Sequence, residues 1–205
     1  MPVSQIMIDY TEADDVIAAL CNFHKEDNKV IVSSDKDFFQ LLDDTTVLYR
    51  PVQKEVMNKN RVTDKFLIHP SNFALARAIA GDKSDNLPGV GGADLKTIAK
   101  KFPDMCGEET YTIKRLLSDC EKVENKLKIH NAIIEKKELI EKNYKIMQLY
   151  TPSISTATSA IIKEHIKNYP KQFAKTNIRK MMIEDGFGEM NWGDLFSSLN
   201  KIHRG

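Results

Sequence analysis

Several features that would place a protein in a simple class are scarce in this 205-residue chain. It has only three cysteines, Cys21, Cys106 and Cys120, and their scattered positions match neither a zinc site nor a disulfide framework. No apolar run approaches the ~18 residues of a membrane span. There is no internal repeat and no low-complexity segment. These absences argue against a disulfide-stabilised secreted scaffold and a membrane-spanning helix, and they favour a reducing, cytoplasmic setting.

Charge is plentiful but unevenly distributed. The net charge is +1, yet residues 1–95 hold 10 Lys/Arg against 15 Asp/Glu, and residues 96–205 hold 20 against 14. The front half therefore carries −5 and the back half +6. This asymmetry is typical of a protein that binds cations in one place and a polyanion in another. A solvated helical surface gives the same totals, so charge alone does not decide between the two interpretations.

The order of apolar segments predicts an α/β fold at the front of the chain. The run SQIMIDY (residues 4–10) is a candidate strand, and Thr11 with Asp14 fits a capping pattern at the start of a helix. KVIVSS (residues 29–34) is a continuous β-branched run, as in a parallel strand that is buried on both faces. DFFQLL then predicts a short helix, and residues 46–58 predict a β-hairpin.

The rest of the chain is predicted to be helical. Pro70 opens a helix, residues 81–94 form a loop rich in Gly, Asp and Pro, and a helix resumes at Leu95. Apolar residues then recur at helical spacing over residues 131–149 and again around Met181. An α/β region followed by helices is therefore the expected order.

Seven carboxylates fall in three clusters, each at the end of a predicted element: Glu12, Asp14 and Asp15; Asp35 and Asp37; Asp82 and Asp85. Taken singly, each cluster has an ordinary structural explanation, because acids stabilise first helical turns, cap helices and populate turns. Folded into one pocket, however, they would repel one another unless cations were bound. All-oxygen ligand sets prefer Mg²⁺ or Mn²⁺, and two such ions can promote the hydrolysis of a phosphodiester.

The segment LPGVGGADLKTIAKKF (residues 87–102) joins a glycine-rich turn to a basic helix. Turn amides and a helix N-terminus can bind phosphate, and nearby lysines strengthen the hold on any nucleic-acid backbone. The residues that predict such contacts are Gly89, Gly91, Gly92, Lys96, Thr97, Lys100 and Lys101. A plain helix–loop–helix with a flexible turn is the alternative interpretation.

Three motifs, YTEADDVIAAL, VIVSSDKDFFQLL and AIAGDKSDNLPGVGG, occur in this order and together resemble the structure-specific 5′-nuclease family. That family comprises flap endonucleases, the 5′-nuclease domains of bacterial DNA polymerases I and phage 5′→3′ exonucleases. The resemblance is strong to about residue 105; beyond it, EKNYKIMQLYTPSI looks most like the ribonuclease H of T-even phages. It implies that residues 1–70 are the C-terminal part of a PIN-like parallel-sheet core, residues 71–105 a helix-three-turn-helix and residues 106–205 a helical region.

The resemblance also implies a metal-dependent 5′→3′ exonuclease or flap endonuclease that binds two Mg²⁺ or Mn²⁺ ions. The implied metal ligands form two groups: Glu12, Asp14, Asp15 and Asp35 on the tighter side, and Asp37, Asp82 and Asp85 on the other. The implied substrate is duplex DNA or RNA/DNA with a 5′ end or flap, held by the hairpin, which in this family can also bind K⁺. A single-stranded DNA-binding protein is an implied partner, and the phage or bacterial host cytoplasm is the implied location.

The sequence departs from the family pattern at two places. Asp94 stands where a glycine is usual, which weakens the expectation of K⁺ binding more than that of duplex binding. In addition, the family has a first strand, further essential aspartates and a basic arch ahead of the first acidic motif. We therefore expect this chain to need an N-terminal fragment for full activity. The alternative is a non-catalytic, duplex-DNA-binding remnant of the same fold.

Overall fold

The computed structural model describes residues 4–168 and 174–204. The chain divides into two compact units, which are described separately below. The larger unit is Thr11–Ser153, and the smaller combines Met1–Tyr10 with Ile154–Gly205. No helix among the described residues is long and apolar enough to cross a membrane. The predicted boundaries at residues 70 and 105 both fall inside the larger unit and stay a prediction.

A small mixed sheet lies at the front of the larger unit. It contains β1 (Lys29–Val32), β2 (Thr46–Arg50) and β3 (Glu55–Met57), with β1 parallel to β2 and β2 antiparallel to β3. The α/β class and the hairpin are therefore confirmed. The expectation that KVIVSS is buried on both faces is wrong, because Ile31 is buried whereas Val30 and Val32 are exposed. Among the described residues, none covers the face of β1 that carries these two valines.

The first helix is α1 (Ala13–Phe23). The prediction of a strand at residues 4–10 is wrong, since these residues form no strand and end in a turn. The predicted capping pattern at Thr11 is also wrong. Glu12 occupies the N-cap position, and Asp14 and Asp15 fall in the first turn, where their charges complement the helix dipole.

Six further α-helices complete the larger unit: α2 (Lys59–Phe66), α3 (Pro70–Ala80), α4 (Leu95–Lys101), α5 (Ile113–Lys122), α6 (Lys128–Glu135) and α7 (Lys137–Met147). Short 3₁₀ helices span Asp37–Leu41 and Pro103–Cys106. Helix α3 is central and packs against α7 and the first 3₁₀ helix. Its inner face is formed by Phe73, Ala76 and Ile79, which are fully buried. Helix α3 therefore links the 3₁₀ helix that begins at Asp37 with α7.

The described C-terminal part of the smaller unit is mainly helical. It contains α8 (Thr156–Lys167), α9 (Lys175–Glu184) and α10 (Trp192–Arg204). Within it, the rings of Trp192 and Phe196 stack with centroids 6.0 Å apart, and the Arg179 guanidinium lies 5.6 Å from the Trp192 ring centroid. The prediction that the chain ends in a helical region is thus confirmed for the described residues.

Candidate metal centre

Acidic residues from all three sequence clusters line one cavity of about 410 Å³ in the larger unit. Its acidic lining is Glu12, Asp14, Asp35, Asp37 and Asp85. Apolar side chains from the end of α7 and the segment after it, including Ile146 and Leu149, complete the wall. Residues that are far apart in the sequence therefore share one polar cavity.

Local hydrogen bonds hold the second acidic cluster where β1 ends. The side chain of Asp35 accepts a hydrogen bond from the amide of Asp37 at 2.9 Å, which tightens the turn that starts the 3₁₀ helix. Gln40, buried in this helix, donates to the carbonyl of Met147 and accepts from the amide of Leu149. The turn that carries Asp35 and Asp37 is thereby tied to the apolar wall of the cavity.

The third acidic cluster lies in a closed loop after α3. Reciprocal backbone hydrogen bonds of 2.8 and 2.7 Å join Asp82 to Leu87 and close the loop that carries Asp85. Asn143 of α7 is buried and donates to the carbonyls of Ala78 and Pro88, which anchors both ends of this turn. These bonds hold the backbone that carries both carboxylates.

Three of the seven carboxylates approach closely enough to share one ion. Asp37, Asp82 and Asp85 each offer an oxygen, and these oxygens lie within 4.8 Å of one another. An all-carboxylate set suits a hard divalent cation such as Mg²⁺ or Mn²⁺ and not a thiophilic metal. The donor chemistry thus fits the ions that the sequence predicted.

Arg77 of α3 lies against this group of three carboxylates. Its Nη2 atom is 2.9 Å from Asp37 Oδ1, and it also donates to Asp82 Oδ2. Asp82 uses its other oxygen to accept from the amide and the hydroxyl of Ser84. Arg77 was not among the site residues predicted from the sequence. Its place in the last turn of α3, just before the acidic loop, is the signal that could have suggested it.

Burial and mutual repulsion perturb the carboxylates inside the cavity. Burial raises the pKa of Asp37 to about 6, with neighbouring carboxylates adding to the rise and Arg77 opposing it. Burial also raises the pKa of Asp14, and the charges of Asp35, Glu12, Asp15 and Asp85 act in the same direction. A bound cation would relieve this repulsion.

Asp82 behaves differently from Asp37. Burial opposes ionisation of Asp82, but hydrogen bonds from Ser84 and the charge of Arg77 hold its pKa below the ordinary value. Two aspartates that contact the same guanidinium therefore have opposite pKa shifts, because burial dominates at Asp37, whereas the Ser84 hydrogen bonds and Arg77 together outweigh burial at Asp82.

Asp15 stands apart from the other acids of its cluster. Its Oδ1 accepts a hydrogen bond of 2.8 Å from the backbone amide of Ser153, and it is not among the residues that line the acidic cavity. The predicted role of Asp15 as a metal ligand stays a prediction, and the structure gives it a second role in holding α1 to the end of the larger unit.

The glycine-rich hairpin contains residues with two distinct roles. Gly89 packs against the end of α3, where an added Cβ would lie 2.0 Å from the Ala80 carbonyl oxygen. Gly91 and Gly92 face open space, and Gly92 has the left-handed φ of +78°. Gly89 thus serves close packing, whereas the backbone at Gly91 and Gly92 is exposed.

The basic helix after this turn is short and begins at an unexpected cap. Asp94 has φ −78° and accepts a hydrogen bond of 2.7 Å from the amide of Thr97, so it is an ordinary N-cap and does not adopt a left-handed conformation. Lys96 and Lys100 are exposed, and Lys101 is half-buried. Phosphate contacts at this hairpin would therefore come from the turn and the lysines, since Asp94 already uses the Thr97 amide.

Residues 1–67 match the sequence model of the family described as 5′-3′ exonuclease, N-terminal resolvase-like domain. The 5′-3′ exonuclease of Aquifex aeolicus (strain VF5) is 37% identical over 145 residues, which are 68% of this chain and 46% of that protein. The chain is homologous to the 5′-3′ exonucleases. It spans about half the length of the exonuclease relatives it matches.

Solved structures of an exonuclease support the fold of this chain. T5 5′-exonuclease with bound zinc superimposes with a TM-score of 0.66 at 20% identity, covering 80% of this chain and 62% of that one. The T5 flap endonuclease in a complex with DNA and metal ions gives 0.65 at 19% identity, with 79% and 61% covered. The PIN-like architecture of this exonuclease homologue is thereby confirmed.

Proposed function

We propose that this chain is the metal-dependent part of a 5′→3′ exonuclease or flap endonuclease that hydrolyses phosphodiesters at 5′ ends of DNA or RNA/DNA. The observation that carries the proposal is the convergence of Asp37, Asp82 and Asp85 within 4.8 Å of one another. They lie beside a cavity that Glu12, Asp14 and Asp35 also line. The homology to 5′-3′ exonucleases supports the same conclusion.

The carboxylates divide into two groups that suit two Mg²⁺ or Mn²⁺ ions. Asp37, Asp82 and Asp85 would hold one ion, and Glu12, Asp14 and Asp35, with Asp15 at their edge, would hold the other. The chemistry that such ions supply when bound is polarisation of the phosphodiester and activation of a water. The protein itself orients the carboxylates through the hydrogen bonds of Asp35, Gln40 and Asn143.

The hairpin after α3 is the proposed grip on the duplex backbone. The exposed turn at Gly91 and Gly92 lets a phosphate approach the backbone, and Lys96 and Lys100 add positive charge that recognises no particular base. Lys101 and Thr97 lie on the same helix, and Gly89 supports the turn from behind. K⁺ binding at this turn stays a prediction.

The remaining partners are proposals as well. The exposed side chains of Val30 and Val32 on β1 give an N-terminal fragment an apolar sheet face to cover. A single-stranded DNA-binding protein and a location in the host cytoplasm follow from the family resemblance and stay predictions.

A cleavage assay on an end-labelled 5′-flap duplex in Mg²⁺ tests the activity. We expect cleavage that EDTA and Asp35→Asn abolish and that Asp64→Asn, an exposed acid on α2, leaves unchanged. The assay is run on the chain alone and with the N-terminal portion of a 5′-3′ exonuclease added in trans. Cleavage that occurs only when this portion is added would support the prediction that the chain needs an N-terminal fragment.

A non-catalytic, duplex-binding protein is the second candidate. The neutralisation of Asp37 and Asp82 by Arg77 favours it, since part of the acidic charge is balanced without metal. This candidate predicts duplex binding in the absence of divalent ions and no cleavage under either condition of the assay.

A further inference from the structure

Arg77 is an internal cation placed against the carboxylates that are proposed to bind metal. Its side chain, and those of Asp37 and Asp82, are 13%, 17% and 12% exposed respectively. The guanidinium uses the same nitrogen, Nη2, for both carboxylates. The buried Nε atom of Arg77 has no hydrogen-bond partner in the described part of the chain, so its carboxylate contacts are made at one corner of the guanidinium.

The two carboxylates reach Arg77 from different elements. Asp37 begins the 3₁₀ helix after β1, and Asp82 lies in the loop after α3. Arg77 therefore links the two segments that supply the three carboxylates of the candidate ion position. Asp85 is the one member of this group that the Arg77 ion pairs do not include.

The charge of Arg77 has two opposing effects on an ion at this position. Arginine stays protonated in proteins, so it offsets the repulsion between Asp37 and Asp82 when no ion is present. The same charge repels a divalent ion and competes for the carboxylate oxygens that the ion would use. Arg77 thus stabilises the metal-free site and weakens the metal-bound one.

We propose that Arg77 is a positioning residue that holds Asp37 and Asp82 at a fixed spacing and lowers the affinity of their shared site for a divalent ion. The inference rests on the proposed function, since it assumes that Asp37, Asp82 and Asp85 bind such an ion. Its consequence is that this position releases its ion more readily than it would without Arg77.

Titration with MnCl₂ alone tests the inference without measuring cleavage. Free Mn²⁺ is followed by electron paramagnetic resonance, and thermal unfolding is measured with and without Mn²⁺. In Arg77→Met we expect Mn²⁺ to bind about ten-fold more tightly, as removal of a unit charge a few Å away predicts. Without Mn²⁺, the variant is expected to unfold at a lower temperature than the wild type. Added Mn²⁺ is expected to raise the unfolding temperature of the variant by more than it raises that of the wild type.

Two further variants separate charge from general damage. Arg115→Met removes an arginine that pairs with Asp104, Glu109 and Asp119, none of which lines the acidic cavity, and should leave Mn²⁺ affinity unchanged. Arg77→Lys keeps the charge and should keep Mn²⁺ affinity near that of wild type. If Arg77→Met is insoluble with and without Mn²⁺, Arg77→Gln takes its place with the same expected outcomes.

The outcomes distinguish this inference from the proposed function. Mn²⁺ binding by the wild type that does not tighten in Arg77→Met, or that tightens equally in Arg115→Met, overturns the role of Arg77 alone. A wild type that binds no Mn²⁺ overturns both the role of Arg77 and the metal centre on which it rests.

Discussion

The carboxylate of Asp15 accepts a hydrogen bond of 2.8 Å from the backbone amide of Ser153, 138 residues further along the chain. This bond joins the first turn of α1 to the segment that follows α7. The start of α1 is thus held by the segment after α7, which also contributes Leu149 to the apolar side of the cavity.

The role of Asp15 can be separated into hydrogen bonding and metal binding. Asp15→Ala removes the acceptor for the Ser153 amide and should lower the free energy of unfolding by about 1 kcal/mol. Asp15→Asn keeps an acceptor oxygen and should stay close to wild type in urea unfolding. Mn²⁺ affinity measured on the same two proteins then reports on the predicted ligand role. If Asp15→Asn is as unstable as Asp15→Ala, the hydrogen bond is not the cause.

The close approach of Gly89 to the end of α3 makes this glycine essential to the hairpin. Gly89→Ala would place a methyl group 2.0 Å from the Ala80 carbonyl oxygen, so we expect it to lower the free energy of unfolding by about 2–3 kcal/mol. Gly91→Ala is the matched control, because an added Cβ there meets no atom within 4 Å. Denaturant unfolding of both variants checks the prediction, and similar losses from both would contradict it.

Protonation of His130 should destabilise the larger unit. Burial lowers the pKa of His130, and the charges of Lys101 and Lys126 act in the same direction. The ring nitrogen Nδ1 lies 3.3 Å from the Leu127 amide, which donates to it, and the ring packs edge-on against Phe102. Protonation would remove the acceptor and place a charge among buried groups.

The sign of the pH effect follows from the lowered pKa. The neutral His130 ring makes its full contribution to the free energy of unfolding above the unfolded pKa of about 6.5. This contribution is lost as pH falls through the lower folded pKa. Between pH 7 and pH 5 the free energy of unfolding should therefore fall more for wild type than for His130→Gln. Urea unfolding at each pH measures the difference, and parallel pH curves for the two proteins would exclude a contribution from His130.

The exposed lysines of α4 should contribute to duplex affinity through phosphate contacts alone. Lys96→Gln and Lys100→Gln are each expected to weaken duplex binding equally for unrelated sequences and to reduce the salt-dependence slope by about 1. Lys25→Gln, an exposed lysine just beyond the end of α1, serves as the control. Fluorescence anisotropy at several salt concentrations measures the slope. An unchanged slope in both α4 variants would show that these lysines make no phosphate contacts with the duplex.

Local sequence rules predicted the elements whose signals are contained within a few residues. Pro70 marked the start of α3, and residues 46–58 predicted the hairpin of β2 and β3. The same rules failed for KVIVSS, because a run of β-branched residues reports strand propensity and not which neighbours cover each face. They failed again at Thr11, where Glu12 takes the N-cap position.

The sequence by itself determined which residues can act as hard metal ligands, since the seven carboxylates and their positions at element ends are visible in it. The resemblance of its motifs also implied the group of Asp37, Asp82 and Asp85, whose oxygens the structure brings within 4.8 Å of one another. Only the tertiary structure decided that Arg77 lies between two of them. It also directs Asp15 to the amide of Ser153. The physical reason is that the charge of a carboxylate is a property of the residue, whereas its partners depend on how α3, α7 and the turn after β1 pack.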